Sequence, residues 1–184
     1  MGSSSSVTYA FKRVVVVGTS GCGKTTFARQ LAETLQLYHV ELDRLFWLPG
    51  WCPRERAALR ELVGKVVQQD QWVIDGNYGY LQDLIWPRAN HILWLNYRFS
   101  RVVWQVTRRT VRNIVQRREV FPGCRETLQN AVLSRHSVLW WAVTTYHRRG
   151  RRYRTLSDGH LFPHLTWLEM RTPREAQQFL ESLR

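Results

Sequence analysis

The stretch that decides the fold is Val14-Val15-Val16-Val17-Gly18-Thr19-Ser20-Gly21-Cys22-Gly23-Lys24-Thr25. Its first four residues are β-branched and wholly apolar, which is typical of a strand buried on both faces of a parallel sheet. Beyond it, Phe27, Leu31 and Leu35 recur at four-residue spacing, which predicts a helix with one apolar face. Between strand and helix, residues 18–25 match the pattern G-x-x-x-x-G-K-[ST]. The sequence therefore predicts a strand, a glycine-rich loop and a helix in direct succession.

This loop has the chemistry of a triphosphate site. Its glycines let backbone N–H groups turn inward around a phosphate, and the start of the helix adds the positive end of its dipole. We expect a nucleoside triphosphate, ATP, bound with Mg²⁺. Lys24 is expected to reach the β- and γ-phosphates and to act in catalysis, and the Thr25 hydroxyl to ligate the Mg²⁺. The residues expected to bind the nucleotide are Gly18, Ser20, Gly21, Cys22, Gly23, Lys24, Thr25 and Thr26.

The rest of the chain alternates strand-like and helical patterns. Strands are predicted near 38–42, 72–74, 91–95 and 165–170, and helices over about 54–69, 100–116, 125–147 and 173–183. This alternation predicts an α/β fold of the P-loop NTPase type, a three-layer α/β/α arrangement around a parallel sheet. The apolar side expected for the helix over 100–116 comprises Val102, Val103, Val106, Val111, Ile114 and Val115. Residues 1–10 are expected to be a flexible tail and residues 11–184 one domain.

Polar side chains fall where the predicted strands end, and the carboxyl ends of parallel strands are where ligands gather in such sheets. Gly18, Asp43, Asp75 and Asn96 all lie there. Asp75 is expected to hold the metal side or to orient an acceptor hydroxyl, although an Asp before Gly is also common in turns. Asp43 is expected to bind an acceptor hydroxyl or take its proton. The nearby tryptophans either stack on a planar substrate or pack the loop against the core.

The excess positive charge is concentrated in one segment. The chain carries a net charge of +13, and residues 98–154 hold 14 Arg, no Lys and two Glu. The guanidinium fork matches phosphate oxygens. Arg101, Arg108 and Arg112 share a face of the predicted helix. We expect Arg109 to bind the nucleotide, and Arg108 and Arg112 to act in catalysis.

The basic segment is compatible with two roles besides nucleotide binding. Its arginines also suit a solvated basic face or a patch that binds nucleic acid, and the sequence leaves both alternatives open. Arg88 is a further candidate for a phosphate contact, whereas the arginines over 148–154 are expected to form a surface charge run.

Composition excludes several classes of protein. No apolar run reaches the roughly 18 residues that span a bilayer. Cys22, Cys52 and Cys124 are odd in number and lack CxxC spacing, which favours reduced thiols in the cytoplasm over a disulfide framework. His160 and His164 lie four apart, but no cysteine or carboxylate cluster completes a metal site.

Taken together, these motifs resemble the adenylate-kinase-related P-loop kinases, and within them the branch labelled DNA topology modulation proteins. The resemblance spans residues 14 to about 145. It is carried by the loop over 18–25, Asp43 with Trp47-x-Pro49-Gly50-Trp51, the run Trp72-Val73-Ile74-Asp75-Gly76-Asn77-Tyr78, Arg88, the arginines from 101 to 118, and Pro122-Gly123-Cys124-Arg125-Glu126. It implies a five-stranded sheet ordered 2-3-1-4-5, a helical arginine-rich lid within about 108–130, and phosphorylation of a nucleotide or nucleoside.

Two positions depart from that family pattern. Gly79 stands where adenylate kinases carry Arg, which argues against their mode of AMP recognition, and Asn96 stands where the fourth strand commonly ends in Asp. Asp75 is therefore the carboxylate expected on the magnesium side.

The leading hypothesis is an ATP-dependent kinase of a small-molecule acceptor. The alternatives are a nucleic-acid-binding protein with a regulatory nucleotide site and an NTPase that phosphorylates no acceptor.

Overall fold

The computed structural model describes residues 11–116, 118–125, 138–159 and 161–184. Within these ranges, no helix has both the length and the hydropathy needed to cross a bilayer. The elements follow the predicted alternation. In chain order they are β1 (Arg13–Gly18), α1 (Lys24–Leu35), β2 (Tyr38–Glu41), α2 (Leu42–Phe46), β3 (Trp47–Leu48), β4 (Cys52–Pro53), α3 (Arg56–Val67), β5 (Trp72–Asp75), α4 (Gln82–Ile85), β6 (His91–Leu95), α5 (Phe99–Val115), β7 (Glu119–Phe121), β8 (Cys124–Arg125), α6 (Val138–Asp158), β9 (Thr166–Met170) and α7 (Pro173–Ser182).

The central sheet is parallel and ordered β2-β5-β1-β6-β9. Numbered only by the strands of this sheet, the order is 2-3-1-4-5, so the predicted topology is confirmed. The register brings the strand ends together: Glu41 pairs with Asp75, and Gly18 with Leu95. Strand β1 lies at the centre, and the loop that follows it opens at the carboxyl edge of the sheet.

Two apolar layers cover the sheet because alternate residues of a strand point to opposite faces. Val14 and Val16 pack with α1 and α7, while Val15 and Val17 pack with α3, α4 and Tyr153 of α6. The predicted periodicity of α1 is confirmed, since Phe27, Ala28, Leu31, Ala32 and Leu35 are buried. Helices therefore lie on both faces, as the three-layer prediction requires.

Among the described residues, two short antiparallel hairpins stand apart from the sheet. The first, here called the Trp hairpin, comprises residues 47–53 and pairs β3 with β4 across a 3₁₀ turn at Pro49–Trp51. The second, here called the lid hairpin, comprises residues 119–125 and pairs β7 with β8. Of the lid region expected within 108–130, the described residues are helical to Val115 and form a hairpin over 119–125, where the Pro122-Gly123 turn favours it; residues 117 and 126–130 of that prediction lie outside the described residues.

Several predicted boundaries were wrong. Strand β2 ends at Glu41, so Asp43 lies inside α2 and not at a strand end. The helix predicted over 125–147 does not begin at Arg125, because this residue lies in β8. The helix that the structure describes there continues beyond the predicted end, to Asp158. Residues 126–137 of that prediction lie outside the described residues.

The apolar side predicted for α5 was correct only in part. Its buried residues are Val102, Val106, Thr110 and Asn113, whereas Val111 and Val115 are exposed. A period of 3.6 residues places the buried four on one face. Val111 and Val115 lie off that face, so their apolar character does not bury them.

Candidate active site

The glycine-rich loop is shaped by backbone conformations that favour glycine. Gly21 and Gly23 have φ of +81° and +94°. A Cβ added at Gly21 would lie 1.8 Å from Cγ2 of Val106, whereas one added at Gly23 would meet nothing within 4 Å. Helix α5 therefore packs directly on the loop at Gly21, while the loop faces open space at Gly23.

Side chains of the loop divide between the core and the open site. The ammonium of Lys24 donates to the backbone oxygen of Thr19 at 3.0 Å. Cys22 is 1% exposed and belongs to the apolar core. Burial raises the pKa of its thiol, while the charge of Lys24 opposes this rise. Cys22 can thus serve a nucleotide only through its backbone. Ser20 and Thr25 are half-buried, and Thr26 is exposed.

Two carboxylates converge on the hydroxyl of Thr25. Its Oγ1 lies 2.9 Å from Oδ1 of Asp75 and 3.3 Å from Oε1 of Glu41. Burial raises the pKa of Glu41, and the charges of Asp75 and Asp43 raise it further. A divalent cation would relieve this repulsion, and its preferred ligands are oxygens. The donor set therefore fits Mg²⁺ bound to Thr25, with the carboxylates beside it.

Asp75 is held from a second side by a histidine. Its Oδ2 lies 2.7 Å from Nε2 of His39, and the Asp75 side chain is 3% exposed. His39 and Glu41 are two apart on β2, so both point to the same face of the sheet, and Glu41 neighbours Asp75 in register. Both oxygens of Asp75 are therefore engaged, which fixes the plane of the carboxylate.

Asp43 reaches the site although it lies in a helix. The hydroxyl of Tyr78 donates to its Oδ1 at 2.7 Å. Burial raises the pKa of Tyr78, and the charge of Asp43 and this hydrogen bond raise it further. Tyr78 is thus a neutral hydrogen-bond donor that orients the Asp43 carboxylate.

A polar link joins the start of the loop to α6. The amide nitrogen of Asn77 donates to the backbone oxygen of Gly18 at 2.6 Å, and the hydroxyl of Tyr153 donates to Oδ1 of Asn77 at 2.9 Å. Burial raises the pKa of Tyr153 to about 12. Helix α6 is therefore anchored at the site through Tyr153.

The anchor brings an arginine of α6 toward the same region. Arg149 lies one turn before Tyr153 and so shares its face. The side chain is half-buried. Burial lowers the pKa of Arg149, while Tyr153, Asp43 and Cys22 act electrostatically in the opposite direction. Its guanidinium is therefore partly shielded from solvent on the face of α6 that Tyr153 also occupies. The expectation that residues 148–154 form only a surface run was wrong for Arg149.

The sequence profile of the AAA domain family matches residues 14–176, most of the chain. This chain belongs to the AAA domain family. No curated protein matched its sequence. Among solved structures, the fold is similar to a shikimate kinase from Acinetobacter baumannii in complex with shikimate, at 15% identity with a TM-score of 0.58, covering 97% of this chain and 94% of the other.

Two further structures share the fold of this AAA domain. A gluconokinase from Sinorhizobium meliloti 1021 has 16% identity and a TM-score of 0.52, covering 95% of this chain and 94% of its own. A shikimate kinase from Bacteroides thetaiotaomicron has 13% identity and a TM-score of 0.54, covering 94% and 96%. At such low identity the similarity establishes the fold alone. The resemblance to the DNA topology modulation branch stays a prediction.

The arginines predicted on α5 of the AAA domain separate into two groups. The guanidiniums of Arg101 and Arg108 lie 5.0 and 5.3 Å from the ring centroid of Trp104, on the outer face of the helix, and Arg112 lies one turn beyond Arg108. Arg109 follows Val106 by three residues, on the side that packs against the loop. Helical spacing therefore turns Arg109 closer to the side of α5 that meets the loop than Arg108 or Arg112.

Arg88 lies at the wrong edge of the sheet for a phosphate contact. It is exposed in the turn after α4, two residues before Asn90. The backbone N–H of Asn90 donates to the oxygen of Arg13, the first residue of β1. A strand of this length separates that edge from the loop by about 15 Å. The expectation for Arg88 was wrong because no helix was predicted between β5 and β6, and the turn from α4 back into β6 lies at the amino edge of the sheet.

A cleft of about 340 Å³ opens near the carboxyl ends of β6 and β9. It lies at the same edge of the sheet as the glycine-rich loop. Its lining is polar and charged, and consists of Asn96, Arg98, Tyr146, Arg154, Glu169, Arg171, Thr172 and Glu175.

Sequence reasoning missed several residues that the AAA domain gathers at the site. Glu41, His39 and Arg149 carried no motif of their own, and only the strand register and the course of α6 reveal them. Asn77 and Tyr78 belong to the run over residues 72–78, but the sequence predicted no role for either side chain. In the described part of the chain, no group of three or more His, Cys, Asp or Glu has the arrangement of a metal site. A Mg²⁺ bound mainly by phosphates and water needs no such cage.

Proposed function

We propose that this AAA domain is a kinase that transfers the γ-phosphate of MgATP to the hydroxyl group of a small molecule. The observation that carries the proposal is the position of two separate carboxylate groups beside one phosphate-binding loop. Asp75 and Glu41 adjoin Thr25, while Asp43 is bound by the hydroxyl of Tyr78. The first group suits a metal ion and the second suits an acceptor hydroxyl, and phosphoryl transfer requires both functions.

The donor half of the reaction uses the loop and α1. Backbone N–H groups near Gly21 and Gly23 bind the phosphates, and Lys24 turns from Thr19 toward the β- and γ-phosphates. The open space beside Gly23 suits a phosphate, because a side chain there would compete with it. The nucleoside lies in the cleft near the ends of β6 and β9.

Magnesium belongs to this half of the site. Thr25 would bind it directly, and Asp75 and Glu41 would hold its water ligands. When bound, it neutralises charge on the transferring phosphate. His39 keeps the Asp75 carboxylate oriented for that role.

The acceptor half is organised by Asp43. Its carboxylate accepts the proton of the acceptor hydroxyl as the oxygen attacks the γ-phosphorus, and the bond from phosphorus to the β-γ bridging oxygen breaks. Tyr78 donates to one carboxylate oxygen and leaves the other for the acceptor. Since Tyr78 stays neutral, it does not compete for that proton.

Arginines neutralise the charge that develops during transfer. Arg149 shares a face of α6 with Tyr153, which anchors this helix beside the loop, and it would contact the transferring phosphate from there. Arg109 approaches from α5, beside the contact of Val106 with Gly21. Guanidiniums in this position would lower the barrier because they bind the charge that develops in the transition state.

The named structural neighbours agree with this proposal in kind, since they are a gluconokinase and two shikimate kinases. These neighbours lend no support to the nucleic-acid alternative. The choice between a kinase and an uncoupled NTPase depends on the acceptor.

The test is a coupled assay of ATP consumption with Mg²⁺ over nucleosides, nucleoside monophosphates, sugar acids and hydroxylated ring acids. At least one acceptor should raise the rate of ADP formation well above the rate with water alone. Lys24→Ala should abolish that rate, and Lys65→Ala, which changes an exposed lysine of α3, should leave it unchanged. Hydrolysis that no acceptor stimulates would refute the kinase and favour the NTPase.

A further inference from the structure

The Trp hairpin and the lid hairpin are joined by backbone contacts. The N–H of Gly50 donates to the oxygen of Gly123 at 3.0 Å. The thiol of Cys124 donates to the oxygen of Leu48 at 3.2 Å and accepts from the N–H of Trp51 at 3.4 Å. A single buried cysteine therefore contacts both sides of the turn in the Trp hairpin.

Trp51 adopts a backbone conformation that depends on this junction. Its φ of +60° lies in the left-handed region, which is rare for an aromatic residue. Its indole N–H donates to the oxygen of Arg125 at 3.0 Å, and its backbone N–H to Cys124. Conformations of this kind persist only where the surroundings hold them. Both hydrogen bonds that hold Trp51 come from the lid hairpin.

The fit between the hairpins is close. Gly123 has a φ of +72°, and a Cβ added there would lie 2.8 Å from Cβ of Pro49. The lid hairpin can therefore approach the turn of the Trp hairpin only with glycine at this position.

Aromatic rings continue the junction to the acceptor carboxylate. Phe121 contacts Trp51 at 6.0 Å between centroids, Trp51 contacts Trp47 at 5.4 Å, and Trp47 contacts Phe46 at 4.7 Å. Phe46 then contacts Tyr78 at 5.1 Å, the tyrosine that donates to Asp43. A contiguous row of rings thus runs from the lid hairpin to the proposed base.

We propose that the lid hairpin completes the acceptor side of the site, with Cys124 and Gly123 as positioning residues that hold Trp51. The inference rests on the proposed function. The inference goes beyond the proposed function because it treats the Trp hairpin and the lid hairpin as one structural unit. If nucleotide binding orders the lid hairpin, the junction transmits that ordering to the Trp hairpin, which lies next to the acceptor carboxylate through Phe46 and Tyr78.

Hydrogen–deuterium exchange on the whole chain tests the junction without a known acceptor. In the free protein, peptides that cover Gly50 and Trp51 should exchange about tenfold faster in Cys124→Ala than in the wild type, since a typical hydrogen bond contributes about that factor. Cys124→Ser should restore part of the protection, because its hydroxyl can still donate to Leu48. Cys52→Ala is the matched control, since Cys52 is exposed, and it should exchange like the wild type.

The second arm adds the β,γ-imido analogue of ATP with Mg²⁺. In the wild type, exchange in both hairpins should slow by a similar factor, whereas in Cys124→Ala only the lid hairpin should respond. The inference would be overturned if the analogue binds to the wild type but exchange slows in only one hairpin, or in neither. That result would leave the kinase proposal standing. If the analogue does not bind, the proposed function fails, and the inference fails with it.

Discussion

The contact between Gly21 and Val106 gives a quantitative prediction about how α5 rests on the loop. Gly21→Ala carries two costs. Alanine at a φ of +81° is disfavoured by about 1–2 kcal/mol. The new Cβ would also lie 1.8 Å from Cγ2 of Val106, and overpacking of this kind costs about 1–3 kcal/mol more.

Gly23→Ala is the matched control, because Gly23 has a similar φ of +94° but no neighbour within 4 Å of the added Cβ. It should lose only the backbone part, about 1–2 kcal/mol. The free energy of unfolding, measured with urea, should therefore fall further for Gly21→Ala than for Gly23→Ala. Affinity for MgATP should fall in Gly23→Ala, since its methyl group enters the space proposed for phosphate.

A double mutant separates the contact from the backbone effect. Val106→Ala alone removes two buried methyl groups and should cost about 2 kcal/mol. In Gly21→Ala/Val106→Ala the contact at 1.8 Å is gone and a tight contact of 3.1 Å between the two Cβ atoms remains, so the combined loss should be smaller than the sum of the single losses by about 1–3 kcal/mol. Losses that add, or equal losses for Gly21→Ala and Gly23→Ala, would refute the packing of α5 on the loop.

Three further predictions concern the charged groups of the site. Asp75→Asn should lower kcat by about 10²–10³-fold in the coupled assay, and the exposed control Asp70→Asn should not. Glu41→Gln should stabilise the free protein at pH 7 by about 1 kcal/mol. The pKa of Glu41 is raised on folding, so its favourable contribution to the free energy of unfolding is present below its unfolded pKa and is lost as pH rises through the folded pKa. The gain in thermal stability of Glu41→Gln over the wild type should therefore vanish below about pH 4.5. A gain that persists below this pH would contradict the assignment. Arg149→Gln should lower kcat by about 10³-fold with nucleotide affinity little changed, whereas the exposed Arg148→Gln should behave like the wild type.

The fold was largely predictable because its signals are local. The β-branched run at 14–17, the apolar spacing of α1 and the fixed loop pattern each lie within a few residues, and the resemblance supplied the strand order. The apolar side of α5 was harder to predict, since Val111 and Val115 look apolar in sequence but lie off the buried face.

The site was predictable only where its residues belong to motifs. Glu41 becomes important because parallel register sets it beside Asp75, and His39 because it lies two residues away on the same face. Arg149 belongs to the turn of α6 next to Tyr153, and only the hydrogen bond of Tyr153 to Asn77 reveals that this part of the helix lies beside the loop. The junction of the two hairpins joins residues about 75 positions apart, and no local pattern encodes such a contact.

The most direct test of the central claim is transfer of label from γ-³²P-ATP in the presence of Mg²⁺, with the labelled product identified by mass spectrometry. The account predicts label on the hydroxyl oxygen of a small-molecule acceptor with the wild type, and none with Lys24→Ala, while Lys65→Ala transfers normally. Label that appears only in inorganic phosphate across the whole acceptor panel, or equal transfer by Lys24→Ala, would contradict it.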